Sequence, residues 1–113
     1  MQSYQLYIYL KKGTHIQVGK LGFFHFPKGN YVYVGSAKKN IEQRIKRHNS
    51  KNKKLHWHID YLLNNVHAKI IKVNLESCTE CELNNNTVGR VIISGFGSSD
   101  CKNRCYSHLK IFD

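Results

Sequence analysis

The chain has 113 residues, with eighteen lysines and arginines against seven acids and a formal charge of +11; its pI is about 9.7. That length supports one modest core and is too short for two, so residues 1–113 are read as a single domain. The charge favours a phosphate-bearing partner through counterion release, although basicity alone does not separate DNA from RNA or from an anionic membrane.

Residues Tyr4 to Leu10 alternate, with Tyr4, Leu6, Ile8 and Leu10 on one face and Gln5, Tyr7 and Tyr9 on the other, which is a strand period. Lys11-Lys12-Gly13 turns the chain, His15 to Val18 pairs back, and Gly19 and Gly22 mark bends before Phe23, Phe24 and Phe26 enter the core. Pro27-Lys28-Gly29-Asn30 is a tight turn into the strand Tyr31 to Val34, which is expected to break at Gly35-Ser36. Asn40 then caps a helix in which Ile41 and Ile45 are buried, while Arg44 and His48 share a neighbouring face.

Leu55, Ile59, Leu62, Leu63 and Val66 recur at helical spacing, with His56 and Asp60 together on another side. Ala68 to Val73 reads as a third core strand. Ser77 caps a short helix to about Thr87, placing Glu80, Leu83 and Thr87 along one face. Val91 to Ile93 is a short extended piece or a loop entry, Ser94 to Asp100 is a shaped small-residue loop, and Tyr106 to Phe112 is an edge strand. Short strands with helices between them argue a compact α/β or α+β domain with a small mixed or antiparallel sheet.

No apolar run approaches the roughly 20 residues of a membrane span, and the opening MQSYQLYIYL lacks a signal peptide's basic start and cleavage site. The expectation is a soluble, cytoplasmic protein with no membrane partner. Four cysteines, Cys78, Cys81, Cys101 and Cys105, are then expected as reduced thiols, with a structural zinc site and His108 as spare ligand kept as an alternative.

The charge is concentrated. Between Tyr31 and His58, eight basic residues face one acid, Glu42, and Lys38, Arg47, His48, Lys53 and Lys54 are the expected substrate contacts. This stretch resembles the GIY-YIG nuclease superfamily. Tyr31-Val32-Tyr33-Val34-Gly35-Ser36-Ala37 is similar to its second signature, Gln2-Ser3-Tyr4 stands at the first and keeps only the tyrosine, and EQRIKRH resembles its arginine helix. The longer gap between Tyr4 and Tyr33 reads as an inserted hairpin around Gly13 to Phe26. With KKLHWHIDYLL, ECEL and GFGSSDC, the whole resembles a small subfamily whose members sometimes occur attached to DNA-repair glycosylases.

The resemblance implies an endonuclease that hydrolyses DNA phosphodiesters with one divalent ion, Mg2+ or Mn2+, held by a helix glutamate. It makes Tyr4, Tyr33, Arg44, His58 and Glu80 the catalytic candidates. Glu80 is preferred to Glu82 as the metal ligand because Leu83, three residues on, can pack beneath it; Asp60 and Asp100 are the other acids in suggestive motifs. Trp57 reads as a core or helix anchor. Two other classes remain open: a non-catalytic nucleic-acid-binding module on the same fold, and a small zinc-stabilised binding protein. RNA as substrate stays open too, as does the oligomeric state.

Overall fold

The computed structural model describes residues 2–37, 39–97 and 107–112. Its centre is β1 (Gln2–Leu10), whose alternating Tyr4, Leu6, Ile8 and Leu10 are all buried, as their period requires. The opposite face of this strand is covered as well. There Ser3 Oγ donates to the Cys78 carbonyl at 2.6 Å and Gln5 Nε2 donates to Thr87 Oγ1 at 2.8 Å, so each buried polar group has a partner.

Two antiparallel neighbours flank β1: β4 (Gly29–Ala37) on one side and β5 (Ala68–Glu76) on the other. A last strand, β6 (Leu109–Phe112), pairs antiparallel with β4, giving the order β5-β1-β4-β6. The expected insertion is a separate two-stranded hairpin of β2 (Thr14–Val18) and β3 (Gly22–Phe26). Helices α1 (Ile41–Asn49), α2 (His58–Leu63) and α3 (Glu80–Asn86) complete an α+β fold. Among the described residues no helix is long and apolar enough to cross a membrane.

Several local expectations change. Strand β4 runs through Gly35-Ser36 to Ala37 instead of breaking there, because β1 offers a continuous ladder with Tyr4 opposite Gly35 and Gln2 opposite Ala37. The glycine is required by close approach: a Cβ at Gly35 would lie 2.5 Å from the Tyr4 phenol. Helix α2 begins at His58, not Leu55, and Val66 is exposed beyond its end. Thr79, not Ser77, caps α3, its hydroxyl accepting from the Glu82 N–H at 3.2 Å. Asn40 precedes α1 in the left-handed region without a side-chain cap. Strand β5 lies at a sheet edge, with Ile71 and Leu75 about half exposed. Phe26 is fully buried and Phe24 packs partly against the core, whereas Phe23 is 64% exposed.

Candidate active site

One cleft of about 410 Å³ is lined by Tyr4, Tyr33, Gly35, Ser36, Arg44, His56, Trp57, His58, Glu80 and Gly97. Tyr4 comes from β1, opposite Gly35, and Tyr33 from the adjacent β4, opposite Leu6. Arg44 reaches in from α1, His58 from the first residue of α2, and Glu80 from the first of α3. Residues 76 positions apart in sequence thus share one wall, which only the antiparallel sheet makes possible.

Arg44 is fixed on two sides. Its Nη1 donates to the Ser36 carbonyl at 2.5 Å, and the guanidinium lies 4.7 Å from the centre of the Trp57 ring. Arg47 lies over the same indole at 4.5 Å, so Trp57 meets two guanidinium groups. These two cations differ in one decisive respect. Arg47 is paired with Asp60 through two bonds, at 2.9 and 3.0 Å, while Arg44 faces the cleft.

Burial pushes the Tyr4 phenol well above its ordinary range, against the Arg44 charge that draws it down, and does the same to Tyr33. Both phenols are therefore protonated at neutral pH. The Tyr4 hydroxyl lies 2.7 Å from His48 Nε2, and burial lowers His48 to about 4, so this partner is a neutral imidazole. Glu80 is raised by burial, while Arg44 and a hydrogen bond from the Ser36 side chain oppose the shift. His58 Nδ1 accepts from the Gly97 N–H at 2.9 Å, which leaves Nε2 as the proton-bearing nitrogen of the neutral ring. Gly97 has φ of 69° and the Tyr33 ring 3.0 Å from where a Cβ would stand, so it combines an unusual backbone with tight contact.

A family described as "Domain of unknown function DUF123" matches residues 3–113. The chain belongs to the DUF123 family. No curated protein and no solved structure matches it.

In this DUF123 chain all five catalytic candidates, Tyr4, Tyr33, Arg44, His58 and Glu80, meet in the cleft. Glu82, the competing carboxylate, is exposed outside it, whereas Leu83 is buried behind Glu80 as the helix period demands. Of the expected substrate contacts, His48, Arg47 and Lys53 are engaged within the fold. His48 is 2% exposed, because Ile41, Ile45 and His48 form an i, i+4, i+7 stripe against the core; Arg44, one turn before His48, borders that stripe and lines the cleft. Arg47 is committed to Asp60, and Lys53 Nζ donates to the Arg47 and His48 carbonyls at 3.2 and 2.9 Å, closing the end of α1. Lys51, also in the basic run, donates to the carbonyl of Leu63 at the end of α2 and to those of Asn65 and Ala68 beyond it. Lys54 is exposed, and Lys38 lies outside the described residues.

Cys78 and Cys81 are half-buried; Cys101, Cys105 and Asp100 fall outside the described residues. His108 is buried, with Nδ1 3.7 Å from Glu80 Oε2. Sequence reasoning assigned no role in the cleft to Ser36 or His56, and read Trp57 only as a core or helix anchor. Among the described residues no three His, Cys, Asp or Glu converge as a full metal cage. Glu80 alone still suits a hard cation: it is a half-buried carboxylate in a cleft lined, among the described residues, by no second acid, and Mg2+ or Mn2+ takes its other oxygens from water and phosphate.

Burial of His48 makes stability depend on pH in a defined direction. The unfolded imidazole takes a proton near pH 6.5 and the folded one near 4, so the unfolded state binds more protons between them. Stability is expected to fall as pH drops from 6.5 to 4, by on the order of 3 kcal/mol from this residue. His108, also lowered by burial, acts in the same direction, and Glu80 in the opposite one. Thermal melts at pH 7 and pH 4 measure it: native Tm falls, and His48→Gln shows a smaller difference. A native Tm unchanged across that window contradicts a buried neutral His48.

Proposed function

We propose that this DUF123 chain is a GIY-YIG-type endonuclease, hydrolysing DNA phosphodiesters by direct water attack during repair or processing of DNA structures. The observation that carries this reading is the meeting of Tyr4, Tyr33, Arg44, His58 and Glu80, five side chains from five elements, in a single cleft. Phosphoryl transfer needs stabilisation of charge on the phosphate, a proton acceptor near the attacking water and a proton donor near the leaving oxygen.

Arg44, clamped by Ser36 and Trp57, presents its remaining N–H groups to the phosphate at no cost in reorganisation. Glu80 would hold Mg2+ or Mn2+, which when bound neutralises charge developing on the phosphate. The proton lost by the attacking water passes to the Tyr4 hydroxyl oxygen as Tyr4 gives its own proton to the neutral His48 Nε2, 2.7 Å away, while Tyr33 keeps its proton. His58 donates a hydrogen bond from Nε2–H to the leaving oxygen, with the ring aligned by Gly97, and that oxygen takes its proton from solvent. No step forms a bond between protein and DNA.

Incubating the native protein with supercoiled, branched and single-stranded DNA, in Mg2+ or Mn2+ and in a chelator, tests the proposal. Strand scission that the chelator stops is the expected result. Salt-sensitive binding with no scission of any form would instead assign a non-catalytic binding module on the same fold.

A further inference from the structure

The hairpin β2–β3 has two unlike faces. Inward, Phe26 is fully buried and meets Phe96 edge-on at 6.3 Å; Phe96 in turn meets Tyr33 at 6.4 Å and His58 at 5.7 Å. The hairpin is thus anchored one ring away from the rings that line the cleft. Outward, the alternation leaves His15 and Gln17 of β2 and Phe23 and His25 of β3 exposed. The His15 ring stacks on Phe23 at 5.5 Å with planes 19° apart, and lies 4.8 Å from its cross-strand neighbour His25.

Three contiguous rings in solvent are an unusual surface for the lone exposed phenylalanine of the hairpin. Their surroundings select what covers them. From Lys11 to Asn30 there is no acid, while Lys11, Lys12, Lys20 and Lys28 are all exposed, one at the hairpin tip and three at its open end. Flat rings bracketed by cations match a strand of unpaired bases, whose faces are open for stacking and whose phosphates flank them; a duplex keeps those faces stacked internally.

We propose that the outer face of the β2–β3 hairpin docks an unpaired DNA strand, with the Phe23, His15 and His25 rings stacking on bases and the surrounding lysines meeting phosphates. The inference rests on the nucleic-acid reading above and extends it to the substrate: DNA carrying a single-stranded segment next to the cut. Phe23 is outside the catalytic cleft and its truncation removes no buried contact, so Phe23→Ala is expected to fold with native Tm.

The test is the affinity of a fluorescent 20-nucleotide oligothymidylate and of a 20-base-pair duplex, measured by anisotropy over a salt series. Phe23→Ala is expected to weaken oligothymidylate binding about 5- to 100-fold with the salt slope and duplex affinity unchanged, and Phe23→Tyr to restore it. Lys20→Gln is expected to reduce the slope by about 0.7. Native-like oligothymidylate affinity in Phe23→Ala overturns the hairpin proposal and leaves the nuclease reading standing. So does a Phe23→Ala change confined to self-association in sedimentation, which would make the covering partner a second copy. Failure of the native protein to bind either DNA at low salt overturns both.

Discussion

Glu80→Gln is expected to lower the rate of DNA cleavage by at least about 10³-fold while leaving DNA affinity within a few-fold of native. Glutamine keeps the shape of the side chain and one oxygen acceptor; what disappears is the anionic oxygen that would hold a divalent ion beside Arg44 and the phenols. Because the charge it provides matters most as the phosphate gains negative charge, the loss belongs in kcat and not in KM. Glu82→Gln is the matched control, as that carboxylate is exposed outside the cleft. Equal losses in the two variants would remove Glu80 from the site. Mg2+ titration of the native and Glu80→Gln proteins gives an independent readout, with binding expected only in the former.

Asp60→Ala is expected to destabilise the fold by about 3–5 kcal/mol, a fall in Tm of roughly 13–20 °C for a chain of this size. Asp60 is completely buried, and its two oxygens accept from Arg47 Nη1 and Nη2 and from the backbone N–H groups of His56 and Trp57, at 2.8 to 3.0 Å. Burial alone would raise its carboxyl, but the Arg47 bonds and the two N–H groups outweigh it and the carboxyl is held below its usual range. Its stabilisation is accordingly present at neutral pH and is lost as pH falls below about 4. Removing it strands the Arg47 charge, uncaps α2 and loosens one side of the Trp57 clamp that holds Arg44. Asp60→Asn, which retains an acceptor for the backbone, is expected to lose less. Unfolding of Asp60→Ala in urea at the native midpoint would show that the network contributes little.

The same network explains where sequence reasoning succeeded and where it stopped. Tyr4 to Leu10 alternates so regularly that β1 and its buried face were legible, and the pairing of Tyr33-x-Gly35 with an arginine helix located one wall of the cleft. Leu83 placed Glu80 inward because its period is local. The basic run is only partly available to a ligand, since three of its cations serve the chain itself: Lys51 and Lys53 close helix ends, and Arg47 answers a carboxylate thirteen residues away. Composition reports how many cations a segment has, not which of them already have acceptors. His48 was misplaced for a different reason, as the apolar stripe Ile41-Ile45 extends to it and a polar residue at i+7 conceals the continuation. Phe23 reversed its expected burial because β3 is covered on one face only, a fact set by tertiary packing against Phe96 and invisible to a run of phenylalanines.

Nicking of supercoiled plasmid by native protein and Arg44→Ala, side by side in Mg2+ and in Mn2+, tests the central claim most directly. The cleft geometry predicts chelator-sensitive nicking whose rate is proportional to native protein and is about 10²- to 10³-fold slower in the variant, the range for losing one preorganised charge-stabilising group. No nicking by the native protein, or equal nicking by the two, contradicts it.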